Sequence, residues 1–282
     1  MKTILSTALI SLSLTGSSIA TSTKAKLFSS TKVYYAQKNF SSEDKSDLDI
    51  YGIYAFLGYG NHSIECEYDK VDRLDDYDQD DTSFIYNNYS LSNWKFKGGI
   101  HLSNENDADT SIYIAGLNYT RTTTHGYALW HAGTDIYLAE GSENSFQEDF
   151  MQISPSIGKY FGMTTSPNYL HTGLTLNWQK YNEAMGGEDQ YMWANVNLTL
   201  IAPRWSLGVE GSLGESYNSL SGGGLIFSND YIKKKESLGV KFSKKISKNF
   251  DLSLKGTKTD YEDALNEEDD YTLISATLGY TF

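Results

Sequence analysis

The sequence predicts an all-β protein, a closed antiparallel up-and-down β-barrel most simply built from fourteen strands, with twelve as the alternative count. Three observations predict it. Only 39% of the residues are hydrophobic, while the chain is rich in Tyr (22) and Gly (24). Apolar residues recur at every second position over many segments. The connections between these segments alternate between long and short. Together these features indicate strands with one apolar and one polar face, not helices around a dry core.

Charge and cysteine content narrow the function classes. The formal net charge is -13 and the pI is near 4.8, which excludes a typical nucleic-acid partner. Cys66 is the single cysteine, so neither a disulfide framework nor a zinc cluster is expected. The sequence contains no G-x-S-x-G, H-E-x-x-H, P-loop or C-x-x-C motif, so we predict no cofactor and no enzymatic activity.

The first twenty residues are predicted to be a signal peptide. Lys2 precedes an apolar stretch of 4–14, and Ser18 and Ala20 place small residues where a signal peptidase cleaves. This stretch is too short to span a bilayer as a helix, which needs about 20 residues. We therefore expect export through the Sec pathway, removal of residues 1–20, and a single barrel domain over residues 21–282.

Period-two alternation defines the strands. It is clearest between Ile274 and Phe282, where apolar residues alternate with Ser, Thr or Gly, and it recurs in 192–200 and 205–213. In chain order, the predicted strands are 32–39, 48–59, 62–73, 82–92, 94–103, 110–120, 126–138, 149–161, 169–181, 190–201, 205–215, 234–244, 249–259 and 270–282.

The connections separate into two kinds. Some connections are short, such as those at Gly60 and Asn93. Two further short turns carry a basic residue, Arg121 beside one and Arg204 in the other. The long connections are acidic, and 74–81 alone contains five aspartates. The predicted long connections are 41–47, 74–81, 104–109, 139–148, 182–189, 216–233 and 261–269. Short turns on one side and long loops on the other are typical of barrels in the bacterial outer membrane, which places both termini on the periplasmic side.

Aromatic residues are predicted to form two rings where the barrel meets the membrane surfaces. One ring lies near the short turns: Tyr59, Trp94, Tyr119, Tyr127, Phe161, Trp205, Phe250 and Phe282. The other lies near the long loops: Tyr51, Tyr113, Trp178, Tyr181 and Tyr191. A general preference of aromatic residues for strands is the alternative explanation.

The chain ends in Leu278-Gly279-Tyr280-Thr281-Phe282, with Leu278, Tyr280 and Phe282 at alternate positions. This ending resembles the C-terminal signature of Gram-negative outer-membrane β-barrels, and the size and strand number resemble those of small monomeric porins. The resemblance implies that the barrel-insertion machinery recognises this signal and that the first strand closes on the last. It also implies a location in the outer membrane, in contact with lipid and lipopolysaccharide.

If lipid covers the apolar face, polar side chains line the lumen. The residues predicted there are Glu65, Glu67, Asp69, Lys95, Lys97, His101, His131, Asp135, Glu210, Lys241, Asp251 and Lys255. Such a wall holds water and sets ion preference. It predicts a passive pore for small hydrophilic or ionic solutes. The acidic outer loops predict a weak preference for cations. A lumen filled by these same side chains as ion pairs is the alternative.

The longest loop is a candidate constriction. Flexible Gly222, Gly223 and Gly224 precede an apolar cluster of Leu225, Ile226 and Phe227, which is expected either to fold into the mouth or to remain on the surface.

A calcium site is only weakly suggested. Asp76, Asp78 and Asp80 have the spacing of an EF-hand loop but lack its glycine and closing glutamate. A solvated acidic loop is therefore predicted, and no metal.

Three other functions remain open. An outer-membrane hydrolase would use His131, Asp135 or His171 with Ser154 or Ser156, but residues four apart on a strand are about 13 Å apart, too far for a hydrogen bond. A barrel with a plugged lumen would serve assembly or bind polysaccharide. A soluble β-sandwich, such as a secreted lectin, would bury its apolar faces against a second sheet.

Overall fold

The prediction of a closed fourteen-stranded antiparallel barrel is confirmed. The computed structural model describes residues 27–42, 47–73, 77–105, 108–123, 128–141, 149–162, 166–185, 187–217, 219–221, 225–227, 232–263 and 267–282. The predicted signal peptide lies outside these residues. Within the described residues, no helix is long and apolar enough to cross a membrane.

Fourteen long strands form the barrel, and two short strands lie in the longest loop. The strands are β1 (Leu27–Phe40), β2 (Leu48–Tyr59), β3 (His62–Arg73), β4 (Tyr77–Asn88), β5 (Trp94–Glu105), β6 (Ala108–Thr122), β7 (Ala128–Gly141), β8 (Phe150–Phe161), β9 (Tyr169–Met185), β10 (Glu188–Ile201), β11 (Trp205–Ser216), β12 (Leu220–Ser221), β13 (Ile226–Phe227), β14 (Lys233–Lys245), β15 (Phe250–Glu262) and β16 (Glu268–Thr281). Each barrel strand pairs with its neighbours in the chain, β11 pairs with β14, and the β12–β13 hairpin is separate.

The first strand closes on the last. β1 pairs with β16 from Ser30 opposite Thr281 to Phe40 opposite Tyr271. The backbone N–H of Phe282 also donates to the carbonyl of Ser29 at 3.0 Å. Closure leaves no strand edge with unpaired backbone groups, a requirement for any sheet that sits in hydrocarbon.

The predicted lengths of three outer connections are wrong. β4 already begins at Tyr77, β5 ends at Glu105 just before β6 begins at Ala108, and β9 continues to Met185 with β10 resuming at Glu188. These acidic segments are therefore largely strand. Backbone hydrogen bonding between strands needs no apolar face, so the strands continue beyond the segments that alternate. Hydropathy alone therefore predicted these strands to be too short.

Inward and outward side chains differ sharply in exposure. Val196 is 53% exposed on the outer surface, whereas Ile112 on the inside is fully buried. Exposed apolar side chains cover the outer face on every barrel strand: examples are Val33, Ile53, Phe84, Phe96, Ile157, Leu176, Leu198, Val209, Val240, Leu254 and Ile274. A surface of this extent requires an apolar environment.

Gly99 allows β4 and β5 to approach closely. A β-carbon at Gly99 would lie 3.0 Å from Cα of Ile85 and nearer still to the carbonyl oxygen of Phe84, and these backbone atoms have little freedom to move. We expect Gly99→Ala to lower the free energy of unfolding by about 1–3 kcal/mol, measured by urea titration in detergent micelles. Gly256→Ala is the matched control, since a β-carbon there meets nothing within 4 Å. Equal stability of the two variants would contradict this account.

Candidate functional site: the inner wall and the inserted loop

The charged residues predicted for the lumen all lie at inward positions of the barrel. β3, β5, β7, β11, β14 and β15 carry them, and strand alternation aims their side chains at the interior. The residues are Glu65, Glu67, Asp69, Lys95, Lys97, His101, His131, Asp135, Glu210, Lys241, Asp251 and Lys255.

Two ion pairs join inward charges of opposite sign. The Lys97 ammonium lies 2.8 Å from a carboxylate oxygen of Asp135, which also accepts a hydrogen bond of 3.3 Å from the Tyr137 hydroxyl. Lys255 pairs in the same way with Glu210. In each pair the lysine is almost completely buried and the carboxylate is about one-fifth exposed. The carboxylates therefore retain contact with the interior space.

Tyrosine and asparagine side chains donate hydrogen bonds to the inward carboxylates of β3. The Tyr54 hydroxyl donates to Glu65 at 2.9 Å, and the Asn87 amide donates to Glu65 at 2.7 Å. The Tyr34 hydroxyl donates to Glu67 at 3.0 Å and also contacts Asp69. Sequence reasoning missed Tyr34 because β1 has apolar or aromatic residues on both faces there. The spacing of Lys32, Tyr34 and Ala36 at every second position could have indicated that these three residues share the inward face.

Two lysines of β1 also face inward, although they were not predicted to. Lys32 and Lys38 are both buried, and the Lys38 ammonium lies 3.9 Å from the ring centre of Tyr271 and 4.3 Å from that of Phe40. The inner wall therefore carries charges of both signs: lysines such as Lys32, Lys38, Lys95, Lys97, Lys241 and Lys255, and carboxylates such as Glu65, Glu67, Asp69, Asp81, Asp135, Glu210, Asp251 and Asp269.

The half of the interior nearest the long loops is packed with apolar and aromatic side chains. Tyr181 and Tyr191 belong to this cluster, so their predicted place in an outer aromatic ring is wrong. Alternation turns both inward, since Leu176 and Met192 on the opposite faces of their strands are exposed, and the two rings meet with centres 6.0 Å apart. Other members are Leu48, Ile50, Val71, Ile85, Ile112, Ile114, Tyr137, Phe150, Trp193, Tyr217, Leu225 and Ile232. Buried polar side chains, among them Lys38, Gln79, Gln152 and Gln179, lie in the same half, so polar and apolar groups share this part of the interior.

The longest loop enters the barrel. Leu225 is only 2% exposed, and its backbone carbonyl accepts a 2.9 Å hydrogen bond from the Ser83 hydroxyl of β4. β4 stands opposite β11 in the ring of strands, so the loop reaches the far wall. Near its start, the Tyr217 carbonyl accepts a 2.6 Å hydrogen bond from the Tyr181 hydroxyl. Gly222, Gly223 and Gly224 lie outside the described residues. The side chains of Ile226 and Phe227 do as well.

The residue that anchors Leu225 belongs to a Ser-His-Asp arrangement that sequence analysis missed. The Ser83 hydroxyl oxygen lies 2.6 Å from Nδ1 of His101, and Nε2 of His101 lies 3.9 Å from Asp81. The Ser83 hydroxyl donates its proton to the Leu225 carbonyl. Its oxygen is then left to accept a hydrogen bond from the Nδ1–H of His101, so His101 does not act as a base towards Ser83. All three side chains are at most 2% exposed. The arrangement fastens the loop and lacks the geometry of an activated nucleophile.

The other hydrolase candidates do not form a catalytic group. Asp135 is paired with Lys97, four positions along β7 from His131. Ser154 receives a 3.0 Å hydrogen bond from Gln152, and the register places it opposite Asp135, away from His131. His131 and His171 stack on each other with ring centres 5.4 Å apart. Ser156 lies inward on β8, opposite Gly133 of β7 and Thr175 of β9.

The acidic segment suggested for calcium is partly a strand. Asp78 and Asp80 lie on β4, and Asp80 accepts a 2.5 Å hydrogen bond from the Tyr68 hydroxyl. Asp76 lies outside the described residues. An EF-hand wraps its ligands around one ion by a tight loop, whereas an extended strand separates them along its length.

Salt bridges line the rim at the long-loop end. Glu262, the last residue of β15, pairs with Lys233 at 2.7 Å and with Lys235 at 2.9 Å. These two ammonium groups hold the pKa of the Glu262 carboxyl below its usual value. Glu262 therefore stays ionised at neutral pH, and the two lysines offset part of the acidic charge there.

The C-terminal residues lie on the outside near the short turns. Leu278 and Phe282 are exposed, and the Tyr280 ring packs against the rings of Phe250 and Phe282, each with centres 4.7 Å apart. Tyr59, Trp94, Phe161 and Trp205 are exposed at the same end; Tyr127 lies outside the described residues.

Comparisons with known proteins agree with this architecture. No family model matches the sequence, and no curated protein matches it significantly. Among solved structures, the chain is similar to the outer membrane protein Omp33 of Acinetobacter baumannii, with 7% identity, a TM-score of 0.52 and coverage of 90% of this chain and 99% of that one. It is also similar to OccK11 (OpdR) of Pseudomonas aeruginosa, with 10% identity, a TM-score of 0.46 and coverage of 92% and 96%. At these identities the likeness to Omp33 shows the fold, a closed antiparallel β-barrel.

Proposed function

We propose that the chain is a narrow passive pore for small hydrophilic or ionic solutes in the outer membrane of a Gram-negative bacterium. One observation carries the proposal: a closed barrel has an exposed apolar outside and an inner wall with charges of both signs. Lipid is the environment that such an outside fits, and water is what such an inner wall attracts. Passage from one side of the membrane to the other is the activity this combination supports.

The arrangement of the interior favours a restricted pore. Several inward residues near the short turns of β10, β11 and β15, such as Thr199, Ser206 and Asp251, are half-buried, whereas many of those near the long loops are buried by the aromatic cluster and the Leu225 segment. We therefore expect a wide inner vestibule and a narrow outer half. Solutes would be small and flux low.

A barrel with a plugged lumen is the second candidate, and the buried outer half of the interior favours it. In that case the protein serves assembly or binds polysaccharide without transport. Single-channel recording of the refolded protein in planar bilayers separates the two. Discrete conductance steps support the pore, and electrically silent but correctly folded barrels, identified by a heat-dependent shift on gels, support the plug.

Ion preference is expected to be weak and in favour of cations. Because the inner wall carries both signs, we expect the acidic outer loops to decide the sign by raising the cation concentration at the mouth. In a salt gradient the reversal potential should have the sign of cation selectivity and approach zero in high salt, where charges are screened. Replacing Asp75, Asp76 and Asp78 with Asn should weaken it. Clear anion selectivity of the wild type would refute this prediction.

Export and assembly are proposed on the same basis. Residues 1–20 direct the chain through the Sec pathway, and Leu278, Tyr280 and Phe282 are recognised by the barrel-insertion machinery. The outward position of these three side chains, near the short turns, supports this role because they are accessible at one end of the barrel.

A further inference from the structure

Two histidines meet inside the barrel without an assigned role. His131 on β7 lies opposite Gly158 of β8, and His171 on β9 lies opposite Tyr160 of the same strand. Their rings lean over Gly158 from both sides and stack at 22°, with centres 5.4 Å apart. Three neighbouring strands therefore bring two imidazoles from distant parts of the sequence to one place on the inner wall.

Gly158 leaves a small space that both rings border. A β-carbon at this position would lie 2.7 Å from Nε2 of His131 and 3.0 Å from Nε2 of His171. Any side chain larger than hydrogen would therefore occupy the position that both nitrogens approach. Tyr160 packs on His171 with ring centres 4.5 Å apart and limits its movement.

The nitrogen atoms of this pair are not fully used by the protein. Within the described part of the chain, Nδ1 of His131 and Nε2 of His171 are buried without a hydrogen-bond partner, and His171 is only 8% exposed. Buried polar atoms normally have partners, so an unsatisfied imidazole nitrogen beside a second imidazole points to a missing ligand.

We propose that His131 and His171 bind a divalent transition-metal ion of the Cu²⁺ or Zn²⁺ class. Neutral imidazole is the protein ligand these ions prefer, at about 2.0–2.1 Å. Nε2 of His171, which is buried without a hydrogen-bond partner, and Nε2 of His131 both border the space beside Gly158, where the ion would lie. Water completes the coordination. The site does not depend on transport, because a plugged barrel would bind the ion equally well.

The test is a Cu²⁺ titration of the purified protein in detergent micelles, followed by electron paramagnetic resonance. We expect one saturable ion per barrel with coupling to two imidazole nitrogens, competed away by Zn²⁺. His131→Gln and His171→Gln should each weaken binding at least about tenfold. Gly158→Ala should do the same without removing a ligand, since its methyl group fills the shared space.

The matched control is His62→Gln, because His62 is exposed near a turn, where Nδ1 contacts the Tyr86 hydroxyl at 2.6 Å. It should bind Cu²⁺ like the wild type, and all variants should retain the heat-dependent gel shift of a folded barrel. Unchanged binding in a folded His131→Gln, His171→Gln double variant would overturn the proposal, and so would a wild-type spectrum without two imidazole nitrogens. Conductance is recorded separately, so failure of the metal site and failure of the pore are distinguishable.

Discussion

Deleting Ser221–Phe227 should increase the single-channel conductance severalfold. The segment includes Leu225, which is buried inside the barrel and hydrogen-bonded to Ser83 on the far wall. Its removal takes away Leu225 and should widen the narrowest part of the proposed pathway. Planar-bilayer recordings of the deletion variant and the wild type at the same salt concentration measure the change.

A single substitution tests the same contact without shortening the chain. Ser83→Ala removes the hydroxyl that holds the Leu225 carbonyl, so we expect more frequent transitions to a higher conductance level. Ser253→Ala is the matched control, because Ser253 is also buried on the inner wall but hydrogen-bonds to Ser243 at 2.8 Å, away from the loop. If the deletion leaves conductance unchanged, the inserted segment does not limit flow, and the constriction proposal fails.

Val196→Arg should destabilise the barrel by about 2–4 kcal/mol in lipid. Val196 lies in the middle of β10 on the outer face and is 53% exposed. If hydrocarbon covers this surface, a guanidinium there must be buried in it or distort the bilayer. The free energy of unfolding in lipid vesicles, from urea titration, gives the size of the effect.

The neighbouring position provides the control for this prediction. Asn195 lies on the same strand but faces inward, half-buried between Thr175 and Ser212 on the flanking strands. Asn195→Arg should lower the free energy of unfolding much less, since the new charge lies in the polar interior. Equal stability of the two variants, or a wild-type protein that stays folded and dispersed without detergent, would rule out lipid as the covering of the outer face.

Local pattern was enough to predict which face each strand presents. A strand turns its side chains to opposite sides with a period of two residues, so the positions of Glu65, Lys97 and Lys255 on the inner wall follow from their immediate neighbours. The same rule turns Tyr181 and Tyr191 inward, so their assignment to an outer aromatic ring followed their place along the chain and not the alternation. The rule did not give the strand ends, because backbone pairing continues beyond the apolar segment and the sequence pattern has no marker for where pairing stops.

The sequence by itself determined the barrel fold and the face to which each strand side chain points, with fourteen strands predicted and twelve left open, because successive side chains of a strand point to opposite faces. Only the tertiary structure decided which inward residues meet. Ser83 reaches Leu225, and His131 stacks on His171, because closure of the sheet brings together residues far apart in the chain. These contacts depend on the stagger of the paired strands and the path of one loop, which no short-range repeat encodes.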